Sequence, residues 1–70
     1  MTELQFEAFV NENIPFVWKR AVLLSKGDMK LAEEHATMMF IDIWNQMAQG
    51  TYKNVAVSVM SYMRKELVGE

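Results

Sequence analysis

The stretch Gly27-Asp28-Met29-Lys30-Leu31-Ala32-Glu33-Glu34-His35-Ala36-Thr37-Met38-Met39-Phe40-Ile41-Asp42-Ile43-Trp44 decides the fold. A glycine ends whatever precedes it, and an aspartate stands where a helix N-cap belongs, its carboxylate free to accept a backbone N–H. Beyond it Leu31, Ala32, Ala36, Met39, Phe40, Ile43, Trp44 and Met47 recur at three- and four-residue steps, the spacing that gathers side chains on one face of an α-helix. Lys30, Glu33, Glu34, Thr37 and Asp42 are left mostly on the other side. The rest of the chain is expected to cover that apolar face.

Toward the N-terminus, Thr2-x-x-Gln5 fits a capping box, and Phe6, Phe9 and Val10 make a short apolar stripe, so the spacing predicts a helix over about Glu3–Asn11. Pro15 sits badly inside a helix but well in a first turn, with Asn13 an acceptable cap before it. A break or kink is therefore expected near Asn11–Ile14, followed by a helix whose inward face is Ile14, Val17, Trp18, Ala21 and Leu24 and whose last turn holds Lys26. Toward the C-terminus, the central helix should run to about Ala48 and stop at Gly50 in the left-handed position. Thr51 is the expected cap of a last helix with Val55, Val59, Met60, Met63 and Leu67 facing inward. The alternation Val55, Val57, Val59 would also suit a strand, but a lone strand has no partner. The expectation is all-α: a small three- to four-helix bundle forming one helical domain over residues 1–70, with no repeat and no linker.

Bulk properties bound what such a domain can do. Seventy residues, 51% hydrophobic with a net charge of −2, are apolar enough to fold but supply only a small core. There is no cysteine, which excludes disulfides, thiolate metal sites and a thiol nucleophile, and fits a reducing compartment. The start of the chain has Glu3 and Glu7 rather than a basic segment before an apolar run, so a signal peptide is not expected. No apolar run approaches the roughly 20 residues of a membrane span. A cytoplasmic protein without membrane partners is expected. A pI near 5.3 argues against wholesale nucleic-acid binding. The charge is uneven, since Asp28, Glu33, Glu34 and Asp42 stand against Lys30 alone in the central segment.

Enzyme chemistry finds little to work with. The one histidine, His35, has no convergent ligands at metal-binding spacing and reads as a surface or boundary residue. Ser25, Ser58 and Ser61 lack a nucleophile-elbow context, and the three glycines are too isolated to cradle a phosphate. Glu33 and Glu34 are adjacent on a helix and cannot form a facing dyad. No catalytic residue, metal or cofactor is expected. Met38, Met39, Met47, Met60 and Met63 could line an adaptable groove, but they read better as filling for a small core, with Met38 as an exposed exception. Glu33 and Glu34 also have a plain use offsetting the helix dipole, and Lys30 can pair with Glu34 one turn on. Arg64 and Lys65 have the mirror-image use at the end of the last helix.

The string Gly27-Asp28-x-x-x-Ala32-Glu33-Glu34-x-x-x-x-x-Phe40-x-x-x-Trp44 resembles the most recognisable part of region 2 of bacterial RNA polymerase sigma factors, of the small extracytoplasmic-function type. Their usual pattern there is G-D-x-x-D-A-E-D-L-V-Q-E-V-F-L-R-L-W. Phe6-Glu7-Ala8-Phe9, Pro15 and Trp18–Leu24 look like the region's opening helices, and Tyr52-Lys53 stands near an aromatic-basic pair that opens its final helix. The resemblance implies a helical bundle whose central helix docks on the clamp helices of the polymerase's largest subunit. Polymerase contact would then fall on Glu33, Glu34, Thr37, Met38 and Ile41, and promoter DNA contact on Tyr52, Lys53, Arg64 and Lys65. Two departures weigh on the DNA side: the segment between Trp44 and Tyr52 is short, and the last helix is poor in cations. Promoter contact is therefore expected to be weak. The chain could equally be a domain of a longer factor or a shortened relative. The alternative, from another class, is a helical interaction module that homodimerises or sequesters a different partner.

Overall fold

The computed structural model describes residues 1–68; Gly69 and Glu70, the last two of the expected 1–70 domain, lie outside the described residues. Three helices follow one another: α1 (Glu3–Ser25), α2 (Met29–Gln49) and α3 (Val55–Val68). Their ends are set by the polar side chains and turns that satisfy free backbone groups. Thr2 and Gln5 close the capping box of α1, the Gln5 N–H donating to Thr2 Oγ1 at 3.1 Å and the Thr2 N–H to Gln5 Oε1 at 2.9 Å. Asp28 caps α2 by accepting the Leu31 N–H at 3.2 Å. Gly50 ends α2 in the left-handed region at φ 77°, where the absence of a Cβ removes the steric penalty.

Four details differ from the sequence expectation. The first is that α1 does not break: it runs unbroken through Pro15. The packing reason is that residues on both sides of the proline face the same neighbour. Phe6 meets Trp44 of α2 edge-on at 4.5 Å, while Val17 and Ala21 are fully buried in the common core. Pro15 itself is exposed, as is Asn11, whose carbonyl loses its helical N–H partner and can turn to water. The cost of a mid-helix proline, about 3 kcal/mol, is outweighed by apolar contact along more than twenty residues of one helix.

The second is the stop of α1, which comes one residue early. Lys26, not Gly27, is the left-handed cap at φ 58°, and the Gly27 N–H donates to the Val22 carbonyl at 3.2 Å. Gly27 follows, also at positive φ (91°). The third concerns Thr51, which does not cap α3. Its hydroxyl donates to the Gln46 carbonyl at 3.4 Å, and the cap is Asn54, whose side chain accepts the Val57 N–H at 2.9 Å. The fourth is the rotation of α3. Ser58, Val59 and Tyr62 are its buried residues, whereas Met60 is 55% and Leu67 73% exposed.

Helices α1 and α2 form an antiparallel hairpin, and α3 packs back against α2 with a lesser contact to α1. The core is where all three meet: Val17 and Ala21 from α1, Ala32 and Met39 from α2, Val59 and Tyr62 from α3. Ile43 is buried as well. Of the five methionines weighed above, Met39 is buried, Met47 and Met63 are half-buried, and Met38 and Met60 are exposed. Among the described residues no helix is long and apolar enough to cross a membrane.

Pro15→Ala is expected to stabilise the fold by about 1–2 kcal/mol. It removes most of a roughly 3 kcal/mol helix cost while returning some freedom to the unfolded chain. In a chain of this size that is a rise of roughly 5–10 °C in the thermal midpoint, read by circular dichroism. An unchanged or lowered midpoint would show that α1 needs its proline.

Candidate functional site

The circumference of α2 divides into arcs of different surroundings. One arc, with Ala32, Met39 and Ile43, is buried in the core. The arc toward α3 is polar. His35 Nδ1 and the Tyr62 hydroxyl lie 2.8 Å apart, the direction of donation being set by the imidazole tautomer. Ser58 donates to the side-chain oxygen of Gln46. Lys65 Nζ stands 3.8 Å from Asp42 Oδ2, the one ion pair among the described residues. These pairs explain the rotation of α3: once Tyr62 and Ser58 have partners on α2, their polar atoms can be carried into the interface. Met60 is then turned outward. Burial, helped by the charges of Glu66 and Asp42, raises the Tyr62 phenol above its ordinary value. Asp42, expected on the outer side, is half-buried in this arc.

The remaining arc faces away from α3. Glu33, Glu34, Thr37, Met38 and Ile41 are all exposed along it, so the residues assigned to polymerase contact form one continuous strip. Met38 is 46% and Ile41 44% exposed, large apolar side chains left in water. Thr37 returns its hydroxyl to the Glu33 carbonyl at 2.9 Å. Two plain explanations for the glutamates lose ground. The first turn of α2 holds no acid, so both lie a turn beyond where the dipole effect is strong. The Lys30–Glu34 pair is not formed, since Lys65–Asp42 is the one ion pair among the described residues.

Beside this strip, α1 and α2 leave an open furrow. From α1 come Phe6, Val10, Ile14 and Trp18; from α2 come Ala36, Thr37, Phe40, Ile41 and Trp44. It is continuous, because Val10, Thr37 and Phe40 line both of its sections, of about 480 Å³ and 370 Å³. Glu3 stands at one end and Glu33 at the other; no lysine, no arginine and no residue of α3 lines it. The α1 residues that flank α3 are on the opposite side: Asn13 and Phe16 by Val55, Arg20 by Met60 and Met63. Ile14 and Trp18, expected to face inward, thus wall an open groove, with Ile14 45% exposed. A sequence signal existed in the width of the α1 stripe. Phe6, Phe9, Val10, Ile14, Val17 and Trp18 cover more of the helix than one neighbour can hide.

The residues assigned to DNA contact are not brought together. Tyr52 is half-buried in the α2–α3 turn, its ring edge-on to Phe9 at 6.2 Å, and burial raises its phenol above the ordinary value. Lys53 is exposed beside it. Arg64 and Lys65 lie about 15 Å up α3 from its Asn54 cap, at 1.5 Å per residue. Among the described residues no cluster of His, Asp or Glu could hold a metal. Compared with known proteins, the chain matches no family model, no curated protein and no solved structure.

Tyr62→Phe is expected to cost about 1 kcal/mol near neutral pH, because it leaves His35 Nδ1 without its hydroxyl partner. The variant should also flatten the alkaline limb of stability. A phenol raised on folding keeps its proton in the native state while the unfolded chain begins to lose it near pH 10. Its contribution is therefore complete below that value and is lost as pH rises through the higher folded value. Urea midpoints for both proteins, near neutrality and above about pH 10, would read this. Parallel curves would refute it.

Proposed function

We propose that this chain is a sigma region 2-like transcription protein that docks on the cationic clamp helices of RNA polymerase's largest subunit and catalyses no reaction. The observation that supports this reading most is the single exposed strip on α2. Glu33, Glu34, Thr37, Met38 and Ile41 lie together, no other segment among the described residues covers them, and the usual structural reasons for the two acids are missing. On this reading Glu33 and Glu34 steer a basic partner and set its orientation. Met38 and Ile41 supply the apolar area that loses water at the centre of the contact.

Promoter DNA has a lesser place in this reading. Phosphate contact draws its strength from clustered cations. Lys53 is separated from Arg64 and Lys65 by the length of α3, and Lys65 already faces Asp42. The Tyr52 ring is half-buried and already packs at right angles to Phe9, which reduces what it offers to a base. DNA contact on these four residues would be weak, with a shallow salt dependence, because at most three cations are present to displace counterions and one of them faces Asp42.

Titration of the chain with a polymerase clamp-helix fragment tests the reading. Glu34→Lys should weaken binding about tenfold, the loss of one charge contact and its replacement by a repulsive one. Its thermal midpoint should not move, because Glu34 is exposed and makes no ion pair. Unchanged affinity would remove the docking assignment. A stable dimer by light scattering that ignores the fragment would replace it with self-association.

A further inference from the structure

We infer that the furrow between α1 and α2 receives one amphipathic helix of a partner protein, about four turns long, apolar along its spine and cationic near both ends. This extends beyond the strip on α2, because α1 supplies half of the contact, and it holds whichever protein carries the helix.

The length comes from α1. Glu3 to Trp18, the residues at the two ends of the furrow, span about 22 Å at 1.5 Å per residue, which is four turns. The helical form follows from the lining. The floor is apolar except for Thr37, which lies with Val10 and Phe40 at its middle, and the described residues include no strand edge. An extended peptide would lay unpaired N–H and C=O groups on that floor, whereas a helix satisfies its own backbone and offers a ridge of side chains to the groove. Apolar residues one turn apart on such a ridge would meet Phe6, Val10, Ile14 and Trp18 in succession.

The sign of the partner comes from the ends. Glu3 closes one end, in the first turn of α1 where the helix dipole also favours an acid, and Glu33 the other, with no lysine or arginine in the lining. The same two acids exclude a second copy of this chain as the occupant. In a two-fold dimer face meets identical face, so acid meets acid whichever way the axis runs, and two furrows placed mouth to mouth enclose a void.

Both tryptophans of the chain, Trp18 and Trp44, line the furrow, one in each section. Intrinsic fluorescence therefore reports its occupation. The probe is a synthetic helix of about 18 residues with a leucine and alanine spine and lysines near both ends, beside the same peptide with glutamate for lysine. The lysine peptide should give a saturable change that survives in part in both Trp18→Phe and Trp44→Phe, showing that it reaches both ends. Ile14→Lys, at a half-exposed wall position, should weaken it about tenfold, the worth of one buried apolar contact. Should that variant unfold, Glu3→Lys with Glu33→Lys, both at exposed positions, should turn the preference toward the glutamate peptide. Equal affinity for the two peptides, or a titration that moves neither tryptophan, overturns the inference. The peptide titration needs no polymerase. Peptide binding without clamp-fragment binding removes the polymerase reading alone, and the reverse removes the furrow alone.

Discussion

Two packed helices have two flanks, and among the described residues one further helix is present to cover them. The rest of the structure follows from that shortage. The α1–α2 seam buries Val17, Ala21, Ala32 and Met39, and α3 adds Val59 and Tyr62 on one flank. The other flank keeps its apolar side chains in contact with water. A core this small stabilises a fold by little margin, so large exposed side chains such as Ile14, Met38 and Ile41 are more than incidental. Apolar surface that is contiguous and edged by charge is the usual mark of a place where another protein sits.

The two flanks differ in chemistry as well as in coverage. Between α2 and α3 the contacts are paired polar groups set beside a few buried apolar ones: His35 with Tyr62, Gln46 with Ser58, Asp42 with Lys65. Such pairs add little net energy, yet leaving one unmade in a partly buried interface is costly. They therefore choose one rotation of α3 among several that would bury equal apolar area. The furrow has no such internal pairing. Its charged groups, Glu3 and Glu33, sit at the two ends, which suits a surface whose partner supplies the opposite charge.

Backbone chemistry sets where the hairpin turns. The carboxylate of Asp28 and the side chain of Asn54 each take a free N–H at a helix start, and Gly50 takes the left-handed position at a helix end. Lys26 adopts a left-handed conformation that costs a residue with a Cβ about 1–2 kcal/mol. It does so because the Gly27 N–H then reaches the Val22 carbonyl and closes the end of α1. Turn and caps together return α2 alongside α1, so Phe6 can reach Trp44 at one end of the furrow.

Much of this was written in the residues themselves. The capping box at Thr2, the Asp28 cap, the Gly50 stop and the three- and four-residue steps of α2 are local properties, fixed by hydrogen-bonding groups and by helical period within a few positions. What the sequence could not carry was decided by neighbours distant along the chain. Pro15 reads as a break until α2 holds both halves of α1 against one surface. Met60 and Leu67 read as part of the inner face of α3 until Tyr62 finds His35, 27 positions away. The furrow was hidden for the same reason: an apolar stripe states that a side chain prefers to leave water, and only the number and placement of packed helices determines whether anything in the chain lets it.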